Sequence, residues 1–527
     1  MLRRVLVVVG FLTTAVGAFL DRRGLGSWTL ERRLDAWTVG VIVLAALAGL
    51  LALAGRRSGA ELDPGRAGSR RVRVAGTALG TLALVGVVAV LVVAVGTGLP
   101  GPSLAVLTVG SGLLALVGVV GGFVDGPARA ARPLVVGLTA VGAALLVVGA
   151  CGVAVRLVVQ APVQAWSAVP ASAVVVPAPV PTRPTGVAWT WTALDGVRDV
   201  QAAGPGVVVA DDSGVTALDG PTGEPRWGFH RDGAALQAMA VSPDGRSVVL
   251  AHGSTGYGDD EAGLATVLDA ATGARLAEFA FDDPGRALVL TDRIVVDPRP
   301  IPGPDDDPRT EYTALDLRTG EERWRWVSPA GCLQFALYAT STRTTIPVAA
   351  GCGDRVIVTG LDEESGRERW RTDAGPGEGS TTVALRATAD GTAVVALGTR
   401  PFPLIDTTDG SVRTRITGGY PQLDEGEPRL GEDGVEGSDR RLDGTPLPPA
   451  PCAEPTTVVV GSVIAVCRGE GGSSATVDGG PPILLARIST GGPALEALDA
   501  GVRVVPAPGA VVVAGTSQAA PVVQGLT

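Results

Sequence analysis

The sequence predicts two parts. Residues 1–155 read as an N-terminal α-helical membrane domain of about five spans, and residues 187–527 as an all-β propeller of seven blades, with eight as the alternative. Between them, 156–186 reads as a proline-rich extracytoplasmic linker. Three observations carry this reading. Five charge-free apolar runs fill the first 155 residues. Beyond Val187 the pattern changes to short β-rich runs separated by Gly, Pro and Asp. Within that second part a short phrase recurs at a roughly constant interval. A chain of 527 residues has room for more than one domain.

The apolar runs are Val5–Leu20, Ala36–Ala54, Val74–Thr97, Ser103–Val124 and Pro133–Val155. A bilayer core takes about 20 helical residues, and the first run reaches that only by extending at its ends. That run could alternatively be the apolar region of a signal peptide. The Arg distribution sets the expected orientation. Arg56, Arg57, Arg66, Arg70, Arg71 and Arg73 lie between runs two and three, and Arg129 and Arg132 between runs four and five. This predicts a multi-pass plasma-membrane protein with a cytoplasmic N-terminus and an extracytoplasmic propeller. The loop Asp21–Asp35 dissents, with Arg22, Arg23, Arg32 and Arg33, and reads as a segment along the membrane surface. The runs hold no ionisable residue, so they suit anchoring and helix packing better than transport. Gly76/Gly80 and Gly118/Gly122 have GxxxG spacing. Cys151 reads as a small apolar residue.

The linker carries Pro162, Pro170, Pro177, Pro179, Pro181 and Pro184. Repeated proline breaks helices and favours an extended polyproline II segment of about 3.1 Å per residue.

The recurring phrase is Ala314-Leu315-Asp316-Leu317-Arg318-Thr319-Gly320-Glu321-Glu322-Arg323-Trp324. It returns around Asp219, Gly223 and Trp227, and around Asp362, Gly366 and Trp370. Gly follows Asp by four positions and Trp by eight. An Asp carboxylate accepts amide hydrogen bonds two residues on and starts a turn. Glycine continues it with φ > 0. The result is a hairpin with a left-handed glycine and a large ring on the returning strand. Asp269/Gly273 and Asp406/Gly410 keep the turn without the Trp, and Gly444 and Gly491 close weaker copies. A period of roughly 40–50 residues with strands on both sides of each turn marks a propeller blade. Strands are expected at Gly206–Ala210, Ser247–Ala251, Arg293–Val296, Arg355–Thr359, Thr392–Leu397, Thr456–Val460, Ser462–Val466 and Ala510–Ala514. Val504–Val513 is expected to close the ring against the segment from Trp189.

Charge and composition exclude several functions. Residues 1–155 carry 14 Arg against 6 acids, and the remainder 29 Arg against 47 acids. An acidic second part argues against nucleic-acid binding. The chain has no Lys and no Asn, which removes P-loop and Schiff-base chemistry. Cys332, Cys352, Cys452 and Cys467 form an even set in two close pairs. Three disulfide connectivities are open, and the local one, 332–352 with 452–467, is preferred over a zinc site. His252 lies in a Gly-rich stretch and reads as a surface-loop residue. Asp259–Glu261 and Asp305–Asp307 read as solvated acidic loops, and Asp424–Asp443 as an acidic insertion. Gly515-Thr516-Ser517-Gln518-Ala519 does not fit a nucleophile elbow.

The phrase A-x-D-x-x-T-G-x-x-x-W resembles the repeat of the quinoprotein (pyrroloquinoline quinone) dehydrogenases and of PQQ-like propellers that bind no quinone. Residues 217–227 and 314–324 match it fully, and 360–370 with Gly for Ala and Ser for Thr. The resemblance covers roughly 187–527 and implies a bacterial cell-envelope protein. It gives Trp227, Trp324 and Trp370 a structural role between adjacent blades. The five runs before the propeller resemble the plan of membrane-bound quinoprotein glucose dehydrogenase. The quinone and calcium ligands of that family do not carry over, because Asn, Lys and the adjacent Cys pair are missing. No catalytic, cofactor-binding or metal-binding residue is therefore assigned. The expected function is a membrane-anchored, non-catalytic binding or scaffolding module for a protein or cell-envelope ligand, without cofactor. A quinone-dependent dehydrogenase is the alternative.

Overall fold

The computed structural model describes residues 2–20, 40–51, 75, 78–83, 85–90, 92, 102–121, 163–169, 176–193, 196–253, 263–281, 289–301, 309–333, 340–342, 345–377, 384–387, 391–397, 399, 401–416, 421–424, 427–430, 456–459, 462–469, 472–485, 502–515 and 522–527. The chain divides into two units. One comprises Met1–Gln164, Arg231–Ala234 and Gly253–Gly263, and the other Ala165–His230, Ala235–His252 and Leu264–Thr527.

In the first unit, helices Leu2–Leu20 and Pro102–Gly121 pack together through small residues. A Cβ on Gly110 would stand 2.7 Å from the Thr14 backbone nitrogen, and one on Gly17 would stand 2.7 Å from the Leu107 side chain. Val7, Ala45, Ala83, Leu114, Ala115 and Val117 form the buried cluster. The expected five-span membrane domain over 1–155 is not supported. Among the described residues, no helix is long and apolar enough to cross a membrane. The expectation of a multi-pass plasma-membrane location falls with it, and the expected integration in the membrane is not shown. Apolar composition alone does not separate a buried helix from a spanning one. Pro133–Val155, Gly76 and Cys151 lie outside the described residues.

The second unit is built of seven sheets of four or five strands, plus one two-stranded hairpin, among the described residues. In chain order the sheets hold 199–231, 235–281, 289–327, 332–376, 384–416, 456–484 and 502–526. Each is built on an antiparallel meander of short strands, as local β-rich sequence dictates, and the third also takes Thr340–Ser341, which pairs in parallel with Val289–Leu290. The first strand of the first sheet, Asp199–Ala203, lies beside the first strands of the second sheet and of the seventh, and the sixth and seventh are neighbours in the same way. The seventh sheet takes its outermost strand from upstream: Val187–Thr192 pairs antiparallel with Val522–Leu526. This is a β-propeller-like arrangement with its ends joined in one sheet.

The strands expected at Gly206–Ala210, Arg355–Thr359 and Ala510–Ala514 occupy Gly206–Ala210, Arg355–Asp362 and Ala510–Gly515. Two segments differ from expectation. Val163–Ser167, inside the expected linker, is a strand and forms the fifth strand of the first sheet. Farther on, the proline-rich stretch is held against the last sheets: Ser462 Oγ donates to the Thr182 carbonyl at 2.6 Å, and the Gly509 amide to that of Pro179 at 3.2 Å. Part of the acidic insertion pairs as a hairpin, Pro421–Asp424 with Glu427–Leu430.

Candidate functional site

The five described repeat turns share one geometry. In the third sheet the Asp316 carboxylate accepts the Arg318 and Thr319 amides at 2.8 and 3.0 Å, while the Gly320 amide donates to the Asp316 carbonyl at 2.8 Å. Asp219, Asp269, Asp362 and Asp406 accept the amides of Gly223, Gly273, Gly366 and Gly410 on their carbonyls in the same way. All five glycines have φ between 66° and 75°. The strand before the turn shifts register at Ala314/Leu315, and equivalent bulges occur at Ala217/Leu218, Gly360/Leu361 and Leu404/Ile405.

Each repeat Trp lies on the turn of the following sheet. Trp227 Nε1 donates to the Ala270 carbonyl at 3.0 Å, Trp324 Nε1 to Glu363 at 2.7 Å, and Trp370 Nε1 to Thr407 at 3.0 Å. The acceptor always stands three residues before the turn glycine. A Cβ on Gly273, Gly366 or Gly410 would meet the corresponding indole at 2.7, 2.5 or 2.6 Å. Trp189 continues the series onto Gly220 and Gly223. In the second sheet, where the phrase has no Trp, Phe279 takes the role and faces Gly320. The leading Ala of the phrase has a packing reason too. Ala217, Ala314 and Gly360 pair across the strands with Trp227, Trp324 and Trp370, and a small residue there lets the ring lie flat.

Sequence reasoning missed the arginine seven residues after four of the five repeat Asp residues, the second repeat having Leu276 there. Arg226 Nη1 donates to Asp219 Oδ1 at 3.0 Å, Arg323 Nε to Asp316 Oδ2 at 3.1 Å, and Arg413 Nε to Asp406 Oδ2 at 2.9 Å. Arg369 Nε stands 3.2 Å from Asp362 Oδ2. The signal was visible as a basic residue directly before each repeat Trp. Burial pushes the Asp316 and Asp406 carboxyls up, but the arginine and amide hydrogen bonds outweigh it and hold both below the usual carboxylate range. The Ser365 hydroxyl chiefly does the same for Asp362.

These turns are structural, and the concave site lies toward the other end of the strands. A cavity of about 220 Å³ opens between the third and fourth sheets. Its third-sheet wall is the cross-strand pair Tyr312–Trp326, ring centroids 5.3 Å apart. Its fourth-sheet wall is one face of that sheet, with Val348 opposite Thr359 and Ala350 opposite Ile357. The Cys332–Cys352 disulfide closes one end, with Cα atoms 4.2 Å apart on paired strands. Ser328 fixes the loop that carries Pro329: its Oγ accepts the Thr310 amide at 2.9 Å and donates to the Cys332 carbonyl at 3.1 Å. Arg371 is the one cation of the lining among the described residues and pairs with Glu368 at 2.6 Å. Behind the cavity, Ile294, Val296, Tyr312, Trp324, Ile346 and Leu361 fill the seam between the two sheets.

The remaining candidates are placed as follows. Cys467 is disulfide-bonded, while Cys452 lies outside the described residues. His252 is not a surface residue: it is fully buried at the end of its strand, with Nε2 3.2 Å from the Ser213 carbonyl and its ring 6.2 Å from Phe229. The sequence around it reads as loop because a Gly-rich stretch begins at Gly253, the last residue of the strand. His230 Nε2 stands 2.8 Å from Asp211 Oδ2. The acidic loops 259–261 and 305–307 and the weaker turns at Gly444 and Gly491 lie outside the described residues. No group of three metal-ligating side chains occurs among the described residues.

A protein-family model described as "Outer membrane protein assembly factor BamB" matches residues 211–372, the stretch that contains four of the five described repeat turns and both walls of the cavity. No curated protein matches. Among solved structures, BamB from Moraxella catarrhalis is similar over 65% of this chain and 100% of its own, at 13% identity and a TM-score of 0.42. The WD40 domain of SCAP from fission yeast is similar over 64% of this chain and 96% of its own, at 8% identity and a TM-score of 0.37. Quinohemoprotein alcohol dehydrogenase from Comamonas testosteroni is similar over 55% of this chain and 54% of its own, at 15% identity and a TM-score of 0.28.

Proposed function

We propose that this protein is a non-catalytic binding module that docks a protein partner through the cavity between the third and fourth sheets. The observation that carries the reading is the cavity itself: concave, walled by rigid strands, lined by aliphatic side chains and two aromatic rings, with one cation in the lining. At about 220 Å³ it is smaller than the roughly 300–1,000 Å³ of small-molecule and cofactor sites. It suits one apolar side chain of a protein segment, the anchor-in-pocket arrangement of interface hot spots. Among the described residues, the lining offers no carboxylate, imidazole or free thiol for acid–base or nucleophilic work. The matched family's description names an assembly factor, which fits a scaffold whose partners are proteins of an envelope assembly. No observation favours the dehydrogenase reading over this one.

The test is a displayed library of extended peptides selected against the full chain and counter-selected against Ala350→Trp, which fills the cavity. Enriched peptides should share one large apolar residue and lose binding to the filled variant. Enrichment that is equal on both chains would contradict the reading.

A further inference from the structure

The outer edge of the first sheet is occupied by the chain itself. Val163–Ser167 adds alongside Pro225–Arg231 as a fifth strand. The Ala168 amide donates to the Arg226 carbonyl at 2.8 Å, and Ser167 Oγ donates to the Thr272 carbonyl in the next sheet at 2.9 Å. The Trp166 indole lies over Gly228, where a Cβ would come within 2.5 Å of its Nε1. Among the five described repeats only this one provides that seat. The residue nine positions after the repeat Asp is Gly228 here, but Glu278, Arg325, Arg371 and Arg415 in the next four. The added strand is exposed along most of its length, and Trp166 is 45% exposed. A segment held by edge hydrogen bonds and one half-covered ring opens at a small fraction of the global unfolding free energy.

We propose that the outer edge of the first sheet, Pro225–Arg231, is a strand-accepting peptide site, with Val163–Val169 as its exchangeable internal occupant. The external occupant is an extended segment of a partner protein that carries a Trp in the place of Trp166. Main-chain pairing to an open sheet edge supplies affinity for any extended chain, and a side-chain seat selects among them. Here the seat is the bare backbone at Gly228, which accepts a flat indole where the arginine of the later repeats would block it. Because the internal strand is tethered, it competes at an effective concentration in the millimolar range. A segment in trans therefore binds the intact chain weakly and the chain with a loosened strand well. This site is distinct from the cavity between the third and fourth sheets and does not depend on it.

The test uses the full chain and a fluorescein-labelled peptide with the sequence of Val163–Val169. Binding is read by anisotropy on the wild type and on Trp166→Ser/Ala168→Pro, which removes the indole and one donor from the internal strand. The peptide should bind the variant at least tenfold more tightly than the wild type. Adding Gly228→Arg should abolish binding with the melting temperature kept, and a peptide with Trp replaced by Ala should not bind any form. Equal affinity for wild type and loosened chain, no binding to either, or equal binding of the Trp and Ala peptides would overturn the proposal. The peptide comparison needs no further change in the protein, so a folding failure of Gly228→Arg does not shield it.

Discussion

Trp324 lies flat on Gly366 of the following sheet, with its Nε1 2.7 Å from the Glu363 carbonyl. The third sheet is thereby fastened to the turn of the fourth, as the first is to the second by Trp227 and the fourth to the fifth by Trp370. Truncating a buried Trp costs about 3–5 kcal/mol. Trp324→Ala should therefore lower the unfolding temperature and the denaturant midpoint of the chain. An unchanged unfolding curve would count against the docking role.

The same contact can be separated from backbone strain. Gly366 and Gly353 both have φ of 66°, yet a Cβ on Gly366 would come within 2.5 Å of the Trp324 ring while one on Gly353 would meet nothing within 4 Å. Gly353→Ala carries only the left-handed penalty of about 1–2 kcal/mol. Gly366→Ala carries that and the displaced indole as well, so it should destabilise the more. In the double variant with Trp324→Ala the two effects should fall short of their sum, as contacting residues do. Equilibrium denaturation of the wild type and the four variants checks this.

Acid should loosen the turns. Asp316, Asp362 and Asp406 titrate below the ordinary carboxylate range in the folded chain. A depressed folded pKa contributes stability above the unfolded value of about 3.9 and loses it as pH falls through the folded value. Melting temperature should change little on this account between pH 7 and about 5 and fall steeply below about pH 4. Asp316→Asn should lower stability at pH 7 and flatten the acid limb. An acid limb identical to the wild type's would remove Asp316 from the account.

The Cys332–Cys352 disulfide closes a loop over a sequence separation of 20 residues. Chain-entropy arguments give such a loop about 3 kcal/mol of stabilisation. Cys332→Ser/Cys352→Ser should show that loss in denaturation, without the complication that a reductant would also reach Cys467. Because the bridge forms one end of the cavity, the double variant should also weaken any peptide that binds there.

Much of the β unit was legible because its signals are local. Asp316, Thr319 and Gly320 lie within five residues and specify a turn by their own hydrogen bonds, so spacing alone revealed them. Phe279 was not found, since it replaces a Trp at a shifted position and only its seat on Gly320 gives it away. Arg323 was in plain view beside Trp324, but its pairing with Asp316 depends on strand register. Tyr312 and Trp326 meet through the same register, so the cavity they line has no contiguous signature. Trp166 reads as linker because its partner Gly228 is far along the chain. The apolar runs of the first 155 residues misled for a different reason: hydropathy reports that a helix avoids water and does not report what covers it.

The central claim is that the cavity between the third and fourth sheets receives an apolar side chain from a protein partner. The most direct measurement is a calorimetric titration of one selected peptide into the full-length wild type and into Ala350→Trp, with melting temperatures compared in parallel. Filling the cavity should weaken binding at least tenfold while the two chains melt alike. Equal affinity for the two chains would contradict the claim.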